Sequence, residues 1–406
     1  MRWWFGQQLY IQILICIAIG VLFGYFAADY VHYLKPVGEI FIRLLKMLIV
    51  PLTMFTLISG MTKMGDLQRL RSVGGMTLLY YLCTSLFAAA VGMVVALIMR
   101  PGEGVQGILK EENVGESVEF NFIDNLVNWI PTNPFEAMVT MNMLQIIVFS
   151  LIVGATLLAL GKKVETIAKF MNEGAELMIK ITDFVMKLAP YGILALIANL
   201  VGELGVEMLT EVSRFILTDI LAIVFILLLV YPLVIRFIGK LSPVRFYRNV
   251  APAMLVAAST TSSLATLPVS MRVAAGNLGV PKKIHGFTLP LGATVNMDGM
   301  AAAIGAIAVF ASNLYGLDMT PALLFQFVFL GLVLSIGTEG VKSAGVVIST
   351  ILLQTLNLPL TLIPILAAIW PVLDIGHTTC NITGDLAGTT VIGSRMKELD
   401  RNVFNA

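Results

Sequence analysis

Charged residues are scarce in this 406-residue chain, in which aspartate, glutamate, lysine and arginine together make up 13% of the sequence. A typical water-soluble domain carries about 25% charged residues, so this chain has too little polar surface to cover a soluble globule. The net charge of +1 provides no basic surface for nucleic acid. These shortages argue against a soluble protein and a nucleic-acid binder, and they make lipid the expected solvent for most of the chain.

Sequence signatures of catalytic and energy-coupling sites are also missing. Cys16, Cys83 and Cys380 lie in apolar stretches without short spacing, which argues against a disulfide framework or a zinc site. The chain has no Gly-x-x-x-x-Gly-Lys-Ser/Thr loop of an ATP-driven pump, and no Gly-x-Ser-x-Gly or His-Glu-x-x-His motif of a hydrolase. The apolar stretch from Leu9 past Phe26 lacks a small-residue cleavage site, so we interpret it as a membrane span and not as a cleavable signal.

Long apolar runs dominate what the chain does contain. Hydrophobic residues make up 58% of it, and the mean hydropathy is +0.90. A membrane-spanning helix needs about 20 mostly apolar residues. Candidate spans lie near 8–30, 37–61, 74–99, 135–160, 173–202 and 212–238, and after Lys240 the apolar segments become shorter and are interrupted by glycine, proline and small polar residues.

The basic residues of the connecting segments predict the orientation of these spans. If the N-terminus is cytoplasmic and the spans alternate, most lysines and arginines fall on the cytoplasmic side, as the positive-inside rule requires. The acidic loop from Arg100 to Thr132 then lies outside the cell, and both termini lie inside. This assignment requires two segments, 242–278 and 320–357, each to enter and leave the membrane on one side.

Those two segments have the pattern of re-entrant helical hairpins. Each has a small, polar turn at its middle, around Thr261 in the first and Gly337 in the second. Each is followed by a span that we expect to be broken, because it contains small and polar residues at its middle. These residues are Asn296-Met297-Asp298-Gly299 in 285–313 and the similar Asn381-Ile382-Thr383-Gly384-Asp385 in 361–394. Two opposed hairpins with broken spans form an inverted repeat, which is typical of secondary transporters.

Acidic side chains inside spans are functional candidates by default. Asp298 lies in the middle of 285–313, and Asp374 and Asp385 lie about three turns apart on one face of 361–394, with Asn381 one turn before Asp385. Oxygen donors without a Cys/His cluster suit an alkali cation. The alternative is that these aspartates pair with buried lysines or arginines.

Two further polar groups in the spans have both a functional and a structural interpretation. Tyr80 and Tyr81 with Thr84 and Ser85 form a polar patch that, taken alone, is typical of helix–helix packing. His377 lies one turn from both Asp374 and Asn381, which favours contact with a substrate over a simple hydrogen bond in the core.

Several separated motifs resemble those of the dicarboxylate/amino acid:cation symporters, the glutamate transporter family. The likeness covers nearly the whole chain and follows one order. Its motifs are Phe41-Ile42-Arg43-Leu44-Leu45-Lys46-Met47, Tyr80-Tyr81-x-x-Thr84-Ser85, Ser262-Ser263-Leu264-Ala265-Thr266-Leu267-Pro268, Gly292-Ala293-Thr294-Val295-Asn296-Met297-Asp298-Gly299, Ser335-Ile336-Gly337-Thr338 and Asp374-x-x-His377-Thr378-x-x-Asn381-x-x-Gly384-Asp385.

The resemblance implies an all-α membrane protein of eight transmembrane helices plus two re-entrant hairpins, assembled as a homotrimer in the cell inner membrane. A fixed scaffold would comprise residues 1–72 and 135–203, and residues 100–134 would form an extracellular loop. A mobile transport domain would comprise residues 73–99 and 204–406 and would carry substrate across the membrane like an elevator.

The resemblance also implies three sodium sites. One would use the backbone at Gly292 with Asn296, Asn381 and Asp385. A second would use backbone groups at Thr294, Ser335, Ile336 and Thr338. The third would use Tyr81, Thr84, Ser85, Asn296 and Asp298.

The substrate residues that the resemblance implies match the family less completely. Ser263, Val341, Gly345, Asp374, Thr378 and Asn381 match, with Asp374 placed for the substrate's amino group and Asn381 for its α-carboxylate. Three positions depart, because His377 replaces an arginine that grips a side-chain carboxylate, Met300 replaces a threonine and Leu264 replaces a serine. Glu339 and Lys342 add unusual charges near the second hairpin tip.

We therefore expect a sodium-coupled symporter that imports a small amino acid and does not treat plain aspartate as its preferred ligand. The alternative is a symporter for acidic amino acids or C4-dicarboxylates that uses Lys342 and His377 for the side-chain carboxylate. A channel is a different class, and concentrative uptake separates it from a symporter. No enzymatic activity is expected.

Overall fold

The structure is a computed structural model, and it describes residues 9–62, 73–105, 127, 129–204, 207–336 and 344–406. Within those ranges the regular secondary structure is entirely helical. The first part of the chain forms α1 (Leu9–Phe26), α2 (Lys35–Thr62), α3 (Gly74–Met99), α4 (Pro134–Val139), α5 (Met143–Leu160), α6 (Glu165–Lys187) and α7 (Ala189–Leu204).

The second part contains shorter helices and one very long one. It forms α8 (Glu207–Phe225), α9 (Pro243–Thr260), α10 (Ser263–Gly276), α11 (Lys282–Val295), α12 (Asp298–Tyr315), α13 (Pro321–Ile336), α14 (Ala344–Thr355), α15 (Ile363–Arg395) and α16 (Arg401–Asn405). Two π-helical turns, Ile226–Val230 and Val234–Ile238, continue α8 around Tyr231. The all-helical prediction is therefore confirmed for the described residues.

Three helical segments among the described residues are long and apolar enough to cross a membrane by length and composition: Gly74–Met99, Met208–Ile238 and Lys282–Tyr315. In the last of these, 94% of the 18 residues that form its apolar stretch are buried inside the protein. Protein and not lipid therefore surrounds it, as expected for a segment that carries polar residues at membrane depth.

Two predicted spans, 135–160 and 173–202, are not single helices; in the first, α4 ends at Val139 and α5 begins at Met143. In the second, α6 ends at Lys187 and α7 begins at Ala189, with Pro190 in the first turn of α7. Proline has no backbone N–H to continue the α-helical ladder and is well tolerated only in a first turn. The prediction of one continuous helix over 173–202 is therefore wrong, because the residues around the interruption at Leu188 are as apolar as the helices on either side of it.

The predicted break in the span at 285–313 is confirmed. α11 ends at Val295, Asn296 and Met297 have non-helical dihedral angles, and α12 begins at Asp298. The predicted break in 361–394 is wrong, because α15 runs without interruption from Ile363 to Arg395. There the Thr379 and Thr383 hydroxyls donate to carbonyl oxygens one turn earlier and do not open the helix.

The segment at 242–278 folds into two packed helices, α9 and α10, that run back along each other. Thr261 turns the chain with a positive φ of 48°, and the Ser262 side chain caps α10 by accepting a hydrogen bond from the Ala265 N–H. At the opposite end, Asn277 Nδ2 donates to the Asn249 carbonyl at 3.1 Å. In 320–357 the flanking helices α13 and α14 also pack together, while 337–343, between them, lies outside the described residues.

The helices pack mainly in two groups, which meet where α15 contacts α7 and α1 and where α14 contacts α2. α2 packs against α5, α6 and α7, and α1 packs against α7. α12 packs against α3, α13 and α15, and α15 also contacts α8, α9, α10 and α11. Every residue of α12 is buried, so this helix forms the centre of the second group.

Candidate functional site

The predicted polar residues meet where the break between α11 and α12 lies against α3 and α15. Ser85 Oγ on α3 donates to Asp298 Oδ1 at 2.9 Å, and the Tyr231 hydroxyl donates to Asp298 Oδ2 at 2.8 Å. Each carboxylate oxygen of Asp298 therefore accepts a hydroxyl hydrogen bond. The Asp298 side chain is fixed from two sides in the protein interior.

Asn296 links this carboxylate region to a second one. Its Oδ1 accepts a hydrogen bond from Thr84 Oγ1 at 3.1 Å, and its Nδ2 donates to Asp385 Oδ1 at 3.0 Å. Asn296, Asp298 and Asp385 are 0%, 0% and 1% exposed. Residues that are far apart in sequence thus form one buried network of oxygen atoms.

Among the residues that the structure describes, no cationic side chain forms an ion pair with this network. Within the part of the chain that the structure describes, neither Asp298 nor Asp385 has a lysine, arginine or histidine nitrogen within 4.0 Å. The alternative that these two aspartates pair with buried lysines or arginines is therefore wrong for the described residues. A buried, unpaired carboxylate is costly, so a proton or a bound cation has to compensate it.

The C-terminal turns of α11 line the same network. The Tyr81 hydroxyl donates to the Thr288 carbonyl oxygen at 2.8 Å. A Cβ at Gly292 would lie 2.4 Å from Asp385 Oδ1 and 2.8 Å from the Tyr81 hydroxyl. Glycine is therefore required here by the close approach of the carboxylate to the backbone.

The residues of the second implied sodium set are only partly placed. Thr294 Oγ1 donates to the Leu291 carbonyl, and Ser335 Oγ donates to the Leu332 carbonyl. Ile336, at the end of α13, packs against the cluster that contains Leu291 and Val295. Thr338 lies outside the described residues, so the structure brings the end of α13 to the end of α11 without describing the whole set.

The implied substrate residues lie on helices that all contact α15. Asn381 Oδ1 accepts a hydrogen bond from the Gly299 N–H at 2.7 Å, at the start of α12. Ser263 on α10, Met300 on α12, and Asp374 and Thr378 on α15 are all buried. Gly345, on α14, lies against the Trp370 ring, while Val341, Glu339 and Lys342 lie outside the described residues.

His377 has a partner that the sequence analysis missed. Its Nε2 lies 2.8 Å from Asp219 Oδ2 and 3.0 Å from Asp219 Oδ1, and both side chains are almost completely buried. Asp219 lies inside the apolar span 212–238, so the rule that identified Asp298 should also have identified Asp219. Tyr231 was missed as well, and no local signal distinguishes it from other tyrosines of the spans.

The part of the chain that matches known proteins contains both the buried network and His377. Residues 9–395 match the sodium:dicarboxylate symporter family. The chain is 31% identical over 386 residues to the proton/sodium-glutamate symport protein of Geobacillus stearothermophilus, which covers 93% of this chain and 91% of that protein.

Two other relatives span nearly the full length of the chain. It is 30% identical over 416 residues to the proton/glutamate-aspartate symporter of Escherichia coli, covering 96% of this chain and 93% of that protein. It is 28% identical over 412 residues to C4-dicarboxylate transport protein 1 of Ralstonia nicotianae, covering 98% of this chain and 94% of that protein.

Proposed function

Because the chain belongs to the sodium:dicarboxylate symporter family, we propose that it is a sodium-coupled symporter that imports a small amino acid. The family that the motifs predicted is confirmed by the match over residues 9–395. The chain is accordingly a transporter and not an enzyme. We propose three further features of this transporter: its coupling to sodium, the class of amino acid that it carries and its transport mechanism.

The observation that carries the proposal is a pair of buried carboxylates for which the described residues provide no cationic partner. Asp298 accepts hydrogen bonds from the Ser85 and Tyr231 hydroxyls, and Asp385 accepts one from the Asn296 amide, whose oxygen in turn accepts one from Thr84, the neighbour of Ser85. Hard oxygen ligands suit an alkali cation, whereas a protonated carboxyl needs no such set of acceptors. This chemistry supports sodium over protons as the coupling ion, although some relatives are named as proton symporters.

Two of the three implied sodium sets have their side chains gathered at this network. Thr84 and Ser85 reach Asn296 and Asp298 directly, and the Tyr81 hydroxyl faces the backbone at Gly292. Asn296 also contacts Asp385, which joins the set containing Asn381. We propose that sodium ions replace several of these internal hydrogen bonds, with the hydroxyl oxygens turned toward the ion.

The proposed architecture has eight membrane spans and two re-entrant hairpins in inverted repeats. The paired helices α9 and α10, the paired helices α13 and α14, and the break between α11 and α12 support it. The continuity of α15 makes the second repeat an imperfect copy of the first.

We further propose an elevator mechanism in a homotrimer of the inner membrane, with lipid around the spans and both termini cytoplasmic. The two groups of packed helices support the division into a scaffold, residues 1–72 and 135–203, and a transport domain, residues 73–99 and 204–406. The described residues of the proposed ion and substrate sites all belong to the second group, as a domain that carries its substrate across the membrane would require.

The substrate is proposed to be a small amino acid because both of its charged ends have partners. Asp374 provides a carboxylate for an ammonium group, and Asn381 provides an amide for the α-carboxylate. The side-chain end lacks an arginine, and His377 is already bound to Asp219. The second candidate, an acidic amino acid or C4-dicarboxylate carried with help from Lys342 and His377, is favoured by the names of the relatives.

The deciding experiment is a ligand screen of the purified protein by thermal shift, with and without sodium. Amino acids and C4-dicarboxylates are compared at equal concentration, with potassium as the control ion. We expect stabilisation by a small amino acid only when sodium is present, since linkage between two ligands is reciprocal. Concentrative uptake into vesicles driven by a sodium gradient then separates a symporter from a channel, and substrate binding that is independent of sodium would contradict the proposal.

Gly292→Ala is expected to impair sodium-dependent binding. The added Cβ would collide with Asp385 Oδ1 and the Tyr81 hydroxyl, and overpacking costs about 1–3 kcal/mol. Substrate affinity in sodium should fall about tenfold. The matched control is Gly286→Ala on the same helix, where the new Cβ would meet only Lys282 Cγ at 3.9 Å. Equal affinities of the two variants would show that the Gly292 position does not line an ion site.

Ser343→Cys tests the proposal that 320–357 is the outer gate. In a Cys83→Ser background, which removes the exposed native cysteine, a membrane-impermeant thiol reagent should label Ser343→Cys rapidly without ligands. Labelling should slow when sodium and substrate are both present, because a closed hairpin shields its own tip. The same labelling rate in both states would contradict the gate assignment.

A further inference from the structure

Two buried nitrogen atoms beside Asp374 have no hydrogen-bond partner among the described residues. His377 Nδ1 and Trp370 Nε1 are both enclosed by protein, and neither contacts an acceptor or donor within the ranges that the structure describes. The two rings meet with their centroids 5.3 Å apart. An unsatisfied buried polar group is costly and rare, so a pair of them points to a ligand that completes their hydrogen bonds.

Asp219 determines how the imidazole is presented. Both of its carboxylate oxygens lie within 3.0 Å of His377 Nε2, so that nitrogen is occupied and the ring is oriented from α8. The opposite nitrogen, Nδ1, is left for another group. The Trp370 ring packs directly against the backbone at Gly345, where an added Cβ would overlap the ring, so this contact fixes one side of the ring.

We propose that the Asp219–His377 pair selects an amino acid with a small, uncharged, hydrogen-bonding side chain, a hydroxyl or a carboxamide. Asp219 is a positioning residue, and His377 Nδ1 with Trp370 Nε1 contacts the substrate side chain. This inference rests on the proposed function, which assigns the amino and α-carboxylate ends of the substrate to Asp374 and Asn381.

The chemistry of the two nitrogens favours this class. Trp370 Nε1–H only donates, whereas His377 Nδ1 accepts when the ring is neutral and donates when it is charged. A hydroxyl or carboxamide both donates and accepts, so it satisfies the histidine in either state. A carboxylate only accepts, and it would also lie close to Asp219 in a buried site that already holds Asp374. An alanine side chain would leave both nitrogens without partners.

The test compares serine and asparagine with alanine, and uses Asp219→Asn. Dissociation constants are measured on the purified full chain at saturating sodium, and the result is the ratio of the alanine constant to the serine or asparagine constant. We expect a ratio on the order of ten or more in the unmutated protein, as for a hydrogen bond to a charged or polarised group. Asp219→Asn should reduce this ratio severalfold, because serine and asparagine lose an oriented imidazole that an alanine side chain does not use.

The control removes a different buried carboxylate from the same helix. Glu211, two turns before Asp219, pairs with Arg214 at 3.0 Å and accepts a hydrogen bond from the Gly102 N–H. Glu211→Gln should therefore keep the ratio of the unmutated protein. Sodium-dependent stabilisation by alanine shows in each variant that the site is folded, so a general loss of stability does not imitate the expected result.

The other outcomes overturn the inference in distinguishable ways. A ratio near one in the unmutated protein, with sodium-dependent alanine binding, contradicts the inference and leaves the proposed function intact. If the ratio of dissociation constants falls equally in Asp219→Asn and Glu211→Gln, the effect is structural, and Asp219 does not position His377. Aspartate binding that is tighter than serine binding overturns the side-chain class, and sodium-independent binding of all ligands overturns the proposed function as well.

Discussion

Asp385→Asn is expected to remove the coupling between sodium and substrate without destabilising the sodium-free protein. Asparagine has the same shape as aspartate and keeps an oxygen that accepts the hydrogen bond from Asn296 Nδ2. The change removes a buried negative charge for which the described residues provide no cationic partner. Without sodium that charge is a cost, because burying an unpaired ion is unfavourable.

When sodium is bound, the same charge is stabilising, because it lies among the oxygen atoms of the proposed ion site and attracts the cation. Losing it should weaken sodium binding at least as much as losing an outer-shell partner of a metal ligand, about 10–100-fold. Because coupling is reciprocal, substrate affinity at a fixed sodium concentration should fall with it. The melting temperature of the sodium-free protein should stay equal or rise, while the stabilisation that sodium confers is lost.

The matched control for this experiment is Asp318→Asn, the same chemical change at an exposed carboxylate between α12 and α13. Its melting temperature and sodium response should equal those of the unmutated protein. If Asp385→Asn keeps the full sodium response, Asp385 is not an ion ligand. If the variant loses that response and also melts much lower without sodium, the carboxylate stabilises the fold by itself and the argument from an uncompensated charge is wrong.

The part of the site that sequence predicts best is the part that breaks the local pattern. Asp298 and Asp385 are polar exceptions in apolar spans, and such exceptions are costly enough in lipid to indicate function. The break at Asn296 and Met297 was predictable for the same reason, because small and polar residues interrupt an otherwise apolar helix. These signals lie within a few residues of the feature they predict.

Contacts between distant helices were not predictable in this way. Nothing near Tyr231 indicates that its hydroxyl reaches Asp298, which is 67 residues away, and the close approach depends on Gly384, where a Cβ would lie 2.5 Å from that hydroxyl. The same packing explains the wrong prediction for α15. Gly384 serves helix–helix contact inside a continuous helix, whereas the similar motif at Asn296 ends one.

Asp219 is a different case, because the sequence contains the signal for it, an acidic residue in an apolar span, but does not show which residue is its partner. An acidic residue in an apolar span calls for a partner, and the sequence contains a histidine in another span without an assigned one. Pairing Asp219 with His377 requires the relative rotation of α8 and α15, which hydrophobic patterns alone do not determine. This contact changes the chemistry of the site. His377, which was predicted to contact the substrate by itself, is hydrogen-bonded to the Asp219 carboxylate through Nε2.

His377→Arg is therefore expected to leave aspartate affinity low as long as Asp219 remains. Arginine forms bidentate contacts with carboxylates, and Asp219 already occupies the position from which it holds the His377 ring. The guanidinium should bind Asp219 and provide little charge for a substrate. In this single variant we expect aspartate affinity to change by less than about threefold.

The double variant, His377→Arg with Asp219→Asn, should instead gain aspartate binding. Without the competing carboxylate, the guanidinium is free to pair with the carboxylate of the substrate side chain, and close charge pairs of this kind have coupling energies of about 1.5–7 kcal/mol. The double variant should therefore bind aspartate at least about tenfold more tightly than the unmutated protein, and the two substitutions should be strongly non-additive. Competition between aspartate, glutamate, serine, alanine and glutamine at saturating sodium measures the change. Submicromolar aspartate binding by the unmutated protein, unaffected by either substitution, would show that neither His377 nor Asp219 determines what the side-chain pocket accepts.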